Sequence, residues 1–188
     1  MIRLVLMGPP GAGKGTQAKV IATELGTPHV ATDDIFRANA AEKTELGVQA
    51  KRYMDAGDYV PDSVTNDMVH DRLTQADASG GFLLDGYPRT VAQVEELDKM
   101  LAAAGHRLDK VVALTVDTDE VVTRLLKRVA EQGRADDTED VIRHRLDLYT
   151  AQTQPLLTVY RERGLLAEVD GLGSVEEVTA RVIAALRD

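Results

Sequence analysis

The residues with the clearest chemical capacity are the run Gly8-Pro9-Pro10-Gly11-Ala12-Gly13-Lys14-Gly15-Thr16. Gly8, four further residues, then Gly13-Lys14 is the spacing of a phosphate-binding loop. Its glycines let the backbone wrap around a phosphate with the N–H groups pointing inward. A helix opening at Lys14 adds partial positive charge at its N-terminus, and the lysine adds a full one. Gly15 follows the lysine, and the hydroxyl comes second, as Thr16. A hydroxyl directly after the lysine would ligate magnesium, so any metal here must be held differently. The bland alternative is a glycine-rich turn with no ligand, but composition, spacing and strand–turn–helix context all agree on nucleotide phosphate. The loop alone does not choose between a kinase, a GTPase switch and a motor.

Charged groups elsewhere could complete such a site. Asp85-Gly86-Tyr87-Pro88-Arg89 follows an apolar stretch, and Thr32-Asp33-Asp34-Ile35-Phe36-Arg37 ends in an arginine. A guanidinium meets phosphate through a planar two-pronged fork that a lysine lacks. Arg124 and Arg128 stand four apart and share a helix face, as many solvated surface pairs also do. Arg134 and Arg145 follow, and Arg134 stands beside Asp136 and Asp137. A lone arginine on a helix is usually a surface charge, so these count only in combination. His29, His70, His106 and His144 show no metal-ligand spacing and read as surface or packing residues.

The elements that must position these groups alternate regularly. Ile2 to Met7, His29 to Ala31, Gly81 to Leu84, Lys110 to Val116 and Leu165 to Val169 read as short strands. A helix is expected from Lys14 to Leu25, with Gly26 as its C-cap. Val91, Val94, Leu97 and Leu101 mark a second helix. Ser174 and Glu177 form a capping box ahead of Val175, Val178, Val182, Ile183 and Leu186. Thr138 with Glu139 and Asp140 reads as another helix start. Strands alternating with helices argue for an α/β fold with a mainly parallel sheet.

Composition sets the outer bounds. The 188 residues suit one domain with small insertions, and 44% hydrophobic with 28% charged residues is ordinary for a folded chain. A net charge of −9 argues against nucleic acid or an anionic membrane as partner. The absence of cysteine excludes disulfides and thiolate zinc sites. No apolar run approaches the ~20 residues of a membrane span, and Leu4 to Met7 is too short for a signal core, so a cytoplasmic protein is expected.

Gly8 to Gln17, GPPGAGKGTQ, resembles the phosphate-binding loop of adenylate kinases, including the glycine after the lysine. Asp85 to Arg89 is similar to that family's second signature, and Thr32 to Arg37 to its monophosphate-binding segment. Arg124, Arg128, Arg134 and Arg145 fall in the order of its donor-side arginines, and the resemblance spans essentially the whole chain. It implies a three-layer fold of the P-loop nucleoside triphosphate hydrolase type, with a parallel central sheet and two small mobile insertions. The core would occupy residues 1–188, with an acceptor insertion at 31–60 and a short lid at 129–137. The implied reaction is reversible, magnesium-dependent transfer of the terminal phosphoryl group of ATP to AMP, giving two ADP. The implied protein is a monomer without zinc, with ATP and AMP as its partners.

The resemblance also implies roles. Lys14 would bridge the donor phosphates within a cradle of Gly11, Ala12, Gly13, Gly15 and Thr16, with Arg124 and Gly173 at the ATP adenine. Arg128, Arg134 and Arg145 would neutralise charge on the transferring group. Arg37 and Arg89 would grip the AMP phosphate, and Thr32, Met54, Val60, Gly86 and Gln93 would line the rest of that pocket. Asp85 would hold magnesium through water, with Asp34 supporting the water shell. Related kinases accept UMP or CMP. Thr32 and Gln93 stand where those carry alanine and asparagine, and a glutamine can pair with an adenine edge, so AMP is the expected acceptor.

Three features depart from the family's pattern. Asp33 replaces its usual glycine: a positive φ there would be tolerated by aspartate, whereas a close phosphate would be repelled by it. The lid is short and cannot bind zinc through cysteine. Gly173 stands where some members have a lysine. Outside the kinases, a GTPase would carry an Asn-Lys-x-Asp guanine reader and a transport ATPase a second acid after Asp85; neither occurs.

Overall fold

Strand positions that are apolar on both faces must be covered on both sides, and this decides the architecture. The computed structural model describes residues 2–132 and 138–187, with 128–132 described by their backbone. Strands β1 (Arg3–Met7), β2 (His29–Ala31), β3 (Phe82–Asp85), β4 (Lys110–Thr115) and β5 (Leu166–Asp170) form one sheet in the order β2-β3-β1-β4-β5. Every pairing is parallel, for example Val5 with Leu84 on one side and with Val111 on the other. The expected α/β class and parallel sheet are therefore present.

Side chains on successive strand residues point to opposite faces. Val5, Met7, Leu84, Val111 and Ala113 pack on one side with α4 (Asp62–Leu73), α5 (Val91–Ala103) and α8 (Pro155–Glu162). Leu4, Leu6, Leu83, Val112 and Leu114 pack on the other with α1 (Lys14–Leu25) and α9 (Val175–Ala185). The result is three layers. Within α5, Val94, Leu97 and Leu101 are buried, but Val91, in the first turn, is 50% exposed.

Helix ends follow local chemistry. Gly26 takes φ 62° after α1, and its region closes on the Ala22 and Thr23 carbonyls. Ser174 Oγ accepts the Glu177 N–H at 3.2 Å while Glu177 Oε2 accepts the Ser174 N–H at 2.8 Å. Thr138 caps α7 (Glu139–Leu148) by accepting the Val141 N–H.

Between β2 and β3 the chain leaves the sheet through α2 (Thr32–Ala41) and α3 (Glu45–Ala56). Phe36 and Ala50 from these helices meet Val60 and Met68 in a small core of their own. The second proposed insertion is narrower than expected at its start. Helix α6 runs from Thr118 to Gln132, so residues 129–132 are helical rather than loop. Val129, Ala130, Glu131 and Gln132 contain no breaker, and the first glycine is Gly133. Residues 133–137, including Arg134, lie outside the described residues. After α7, a wider π-helical turn, Tyr149–Thr153, leads into α8. Among the described residues, no helix is long and apolar enough to cross a membrane.

Candidate active site

A parallel sheet binds ligands outside the carboxyl ends of its strands, where neighbouring connections diverge. Strand β1 lies mid-sheet; its chain crosses beyond β3 to form β2, while β4 lies on its other flank. Beyond the ends of β1 and β3 opens a cleft of about 780 Å³. Its walls bring together Gly11, Gly13, Lys14, Gly15, Thr16, Asp34, Arg37, Met54, Asp85, Gly86, Arg89, Arg124 and Arg145. Residues from six elements, α1, α2, α3, β3, α6 and α7, thus converge on one cleft.

On the donor side, Gly11 and Gly13 take φ 82° and 85°, turning the loop back onto the start of α1. Lys14 Nζ donates to the Pro9 carbonyl at 3.0 Å, and the Ala12 N–H donates to the same oxygen at 3.1 Å. The Ala12 side chain is buried in the core, so only its main chain can serve a phosphate. Arg124 pairs with Glu120 at 2.8 Å and reaches the Gly171 carbonyl at 3.4 Å. That contact sets it beside the turn that carries Gly173. Arg128 lies on α6, but its side chain is not among those described.

On the acceptor side everything turns on Arg89. Its main-chain N–H donates to Gln93 Oε1 at 2.7 Å, and its carbonyl accepts from Thr153 Oγ at 2.8 Å. Tyr59 lies against the guanidinium, 5.3 Å from ring centre to Cζ, and its hydroxyl is 2.6 Å from Thr153 Oγ. Since Thr153 spends its proton on Arg89, the Tyr59 hydroxyl is the donor in that contact. Burial pushes the Tyr59 hydroxyl above its ordinary pKa, which keeps that proton in place. Gly86 closes the other side. A Cβ there would lie 2.6 Å from Thr32 Oγ and 2.9 Å from the Arg89 guanidinium.

Thr32, Val60 and Gln93 are buried behind the cleft wall. Thr32 Oγ donates to the Gly86 carbonyl at 3.1 Å. Gln93 has both ends of its amide engaged, Oε1 with Arg89 and Nε2 with Asp62 Oδ1 at 2.8 Å. Thr90 Oγ donates to the same Asp62 oxygen at 3.0 Å. In this conformation Gln93 therefore braces Arg89. Arg145 reaches across to the Met54 carbonyl at 3.3 Å, so α7 touches the end of α3.

Asp33 lies in the first turn of α2 with ordinary helical geometry, so no positive φ is being accommodated there. Its carboxylate instead accepts from the Arg89 guanidinium at 3.1 Å. Desolvation works against the Asp33 charge, but Arg89, Arg37 and Lys14 together hold its pKa below the ordinary value. Arg89 in turn is opposed by burial, yet Asp33, Tyr59 and Asp85 raise its pKa further.

Asp85 ends β3 at the cleft, and His29 Nε2 stands 3.3 Å from its Oδ2. Among the described residues, no group of three or more His, Cys, Asp or Glu could enclose a metal. Asp85, with Asp34 also on the cleft wall, fits magnesium, which is bound through one or two carboxylates and keeps several waters. Tyr59, Thr153, Asp62 and His29 were not expected in these roles. Their partners are distant in sequence, and no local pattern marks them.

Comparison with known proteins places relatives around this geometry. The family model described as "Adenylate kinase" matches residues 6–165. A protein of Nocardioides sp. named "Adenylate kinase" is 66% identical over 98% of this chain and 97% of its own length. One of the same name from Kocuria rhizophila is 64% identical over 99% of both chains. Another, from Renibacterium salmoninarum, is 59% identical over 99% of this chain and 96% of its own.

Proposed function

The chain belongs to the adenylate kinase family, and from that premise we propose how its residues carry the reaction. It is a nucleoside monophosphate kinase that transfers the terminal phosphoryl group of ATP to AMP, reversibly, giving two ADP. One observation supports the residue assignment most directly. The Lys14 loop and the Arg37–Arg89 pair line one cleft, with Asp85 between them at the end of β3.

Phosphoryl transfer asks the protein for alignment and charge rather than covalent chemistry. In this reading the Gly11–Thr16 backbone and Lys14 hold the donor phosphates, and Arg124 with Gly173 flanks the ATP base. Arg37 and Arg89 hold the AMP phosphate in line, and Thr32 and Gly86 form the close wall behind it. Arg128, Arg134 and Arg145 neutralise charge as it develops on the transferring group. Asp85, with Asp34 nearby, would hold magnesium through water, and the ion would supply charge neutralisation to the phosphates. The AMP phosphate is already anionic at neutral pH, so no general base is required. Residues 31–60 and 129–137 close over the substrates and exclude water, the competing acceptor. Met54 and Val60 shape the acceptor side, and Gln93 meets the adenine edge once it exchanges a partner. In this reading the protein acts as a cytoplasmic monomer.

A coupled assay with ATP and each of AMP, UMP, CMP and GMP tests the reading. ADP should accumulate with AMP far faster than any diphosphate with the others. Nucleotide hydrolysis unchanged by every monophosphate would overturn it.

A further inference from the structure

The one charged group set directly against Arg89 at ion-pair distance in the described structure is Asp33, at 3.1 Å. The guanidinium is braced in this place. Tyr59 covers it at 5.3 Å, and a Cβ on Gly86 would sit 2.9 Å from its terminal nitrogen. Its main chain is tied at both ends, by Gln93 at 2.7 Å and Thr153 at 2.8 Å. Asp33 is the freer partner. Its side chain is 51% exposed against 30% for Arg89, and it hangs from the first turn of α2. An anion that pairs with the same edge of Arg89 competes with the carboxylate, and the more exposed carboxylate is the partner with room to move.

We propose that Asp33 sets the acceptor-side affinity as an intramolecular competitor, whose carboxylate occupies Arg89 until a phosphate displaces it. The proposal rests on Arg89 as the AMP-phosphate grip. Its physical content is an exchange. The leaving carboxylate carries one charge, whereas a phosphate ester near neutral pH brings close to two and three acceptor oxygens that suit the guanidinium fork. The exchange lowers the affinity of every anion that must use Arg89 by the same factor, AMP included. A carboxylate in the first turn of a helix also favours the helix dipole. That role alone would alter stability without altering affinity for anions.

The test compares the full chain with Asp33→Asn and Asp33→Gly, measuring AMP binding by calorimetry without ATP and displacement of that AMP by inorganic phosphate. The expected result is AMP and phosphate both binding about fivefold tighter in each variant, the scale of one partly exposed ion pair. The KM for ATP should stay within about twofold on the same scale. Equal or weaker AMP and phosphate binding in both variants, with only the melting temperature changed, would overturn the proposal. If AMP and phosphate bind tighter in the variants while no chain forms ADP from ATP and AMP, the competitor role stands and the kinase assignment fails. If ADP forms normally and affinity does not move, only the competitor role fails.

Discussion

The side-chain oxygen of Gln93 accepts the main-chain N–H of Arg89 at 2.7 Å, which ties the residue proposed to read the base to the residue proposed to grip the phosphate. The other end of the same amide donates to Asp62 at 2.8 Å. Base and phosphate recognition therefore share one brace, and a nucleotide that engages Gln93 changes what holds Arg89.

Asp62→Ala should destabilise the fold. It removes the acceptor of both Gln93 Nε2 and Thr90 Oγ and leaves the buried amide of Gln93 short of a partner. The expected loss is ~1–3 kcal/mol, the cost of an unsatisfied buried donor. Urea unfolding measures it, and an unchanged midpoint would show that Gln93 recovers a partner without cost.

Gly86→Ala should damage the acceptor side selectively. At φ 82°, the new methyl would meet Thr32 Oγ at 2.6 Å and the Arg89 guanidinium at 2.9 Å. Left-handed backbone for a non-glycine residue and an overpacked contact each cost on the order of 1–3 kcal/mol. Steady-state kinetics should show KM for AMP raised by about tenfold, with KM for ATP much less affected. Equal effects on both substrates would point to general unfolding instead.

Lys14→Met removes the loop's full positive charge while keeping the length of the aliphatic stem. Loss of one preorganised electrostatic contact commonly costs ~10²–10³-fold in turnover. That fall should appear in ADP formation with the far-ultraviolet circular dichroism of the parent retained. Turnover at the parent rate would remove Lys14 from the chemistry.

The Asp33–Arg89 pair carries a pH signature in stability. The folded pKa of Asp33 lies below its ordinary 3.8, so the folded state favours the ionised form. Its stabilising contribution is complete well above 3.8 and is lost as pH falls through the lower folded value. The stability gap between the parent chain and Asp33→Asn should be flat near neutrality and shrink once pH drops below 3.8. Denaturant titrations across an acid series would show it; a gap that widens on acidification would contradict the pairing.

Local chemistry was enough for much of the molecule. The Lys14–Leu25 helix, its Gly26 cap, the Ser174 capping box and the five strands all follow from patterns within a few residues. Helix α6 continues through Gln132 into the start of the implied lid, because Val129 to Gln132 contain no glycine or proline to break it. Family pattern likewise marked Lys14, Arg37, Asp85, Arg89, Arg124 and Arg145, and the fold lines them along one cleft.

The sequence by itself determined the phosphate-binding loop, because glycine backbone freedom, helix polarity and one lysine act within a single strand–turn–helix unit. It also determined that both sheet faces are buried, because alternate strand residues are apolar on both sides. Only the tertiary structure decided the environment of Arg89. Asp33, Tyr59 and Thr153 meet it from three distant places along the chain, and pairings over such separations depend on how helices cross a folded sheet. Asp33 shows the difference most directly. Its two readings were backbone geometry or phosphate repulsion; helical φ removes the first, and the 3.1 Å contact to Arg89 adds an ion pair that neither reading contained.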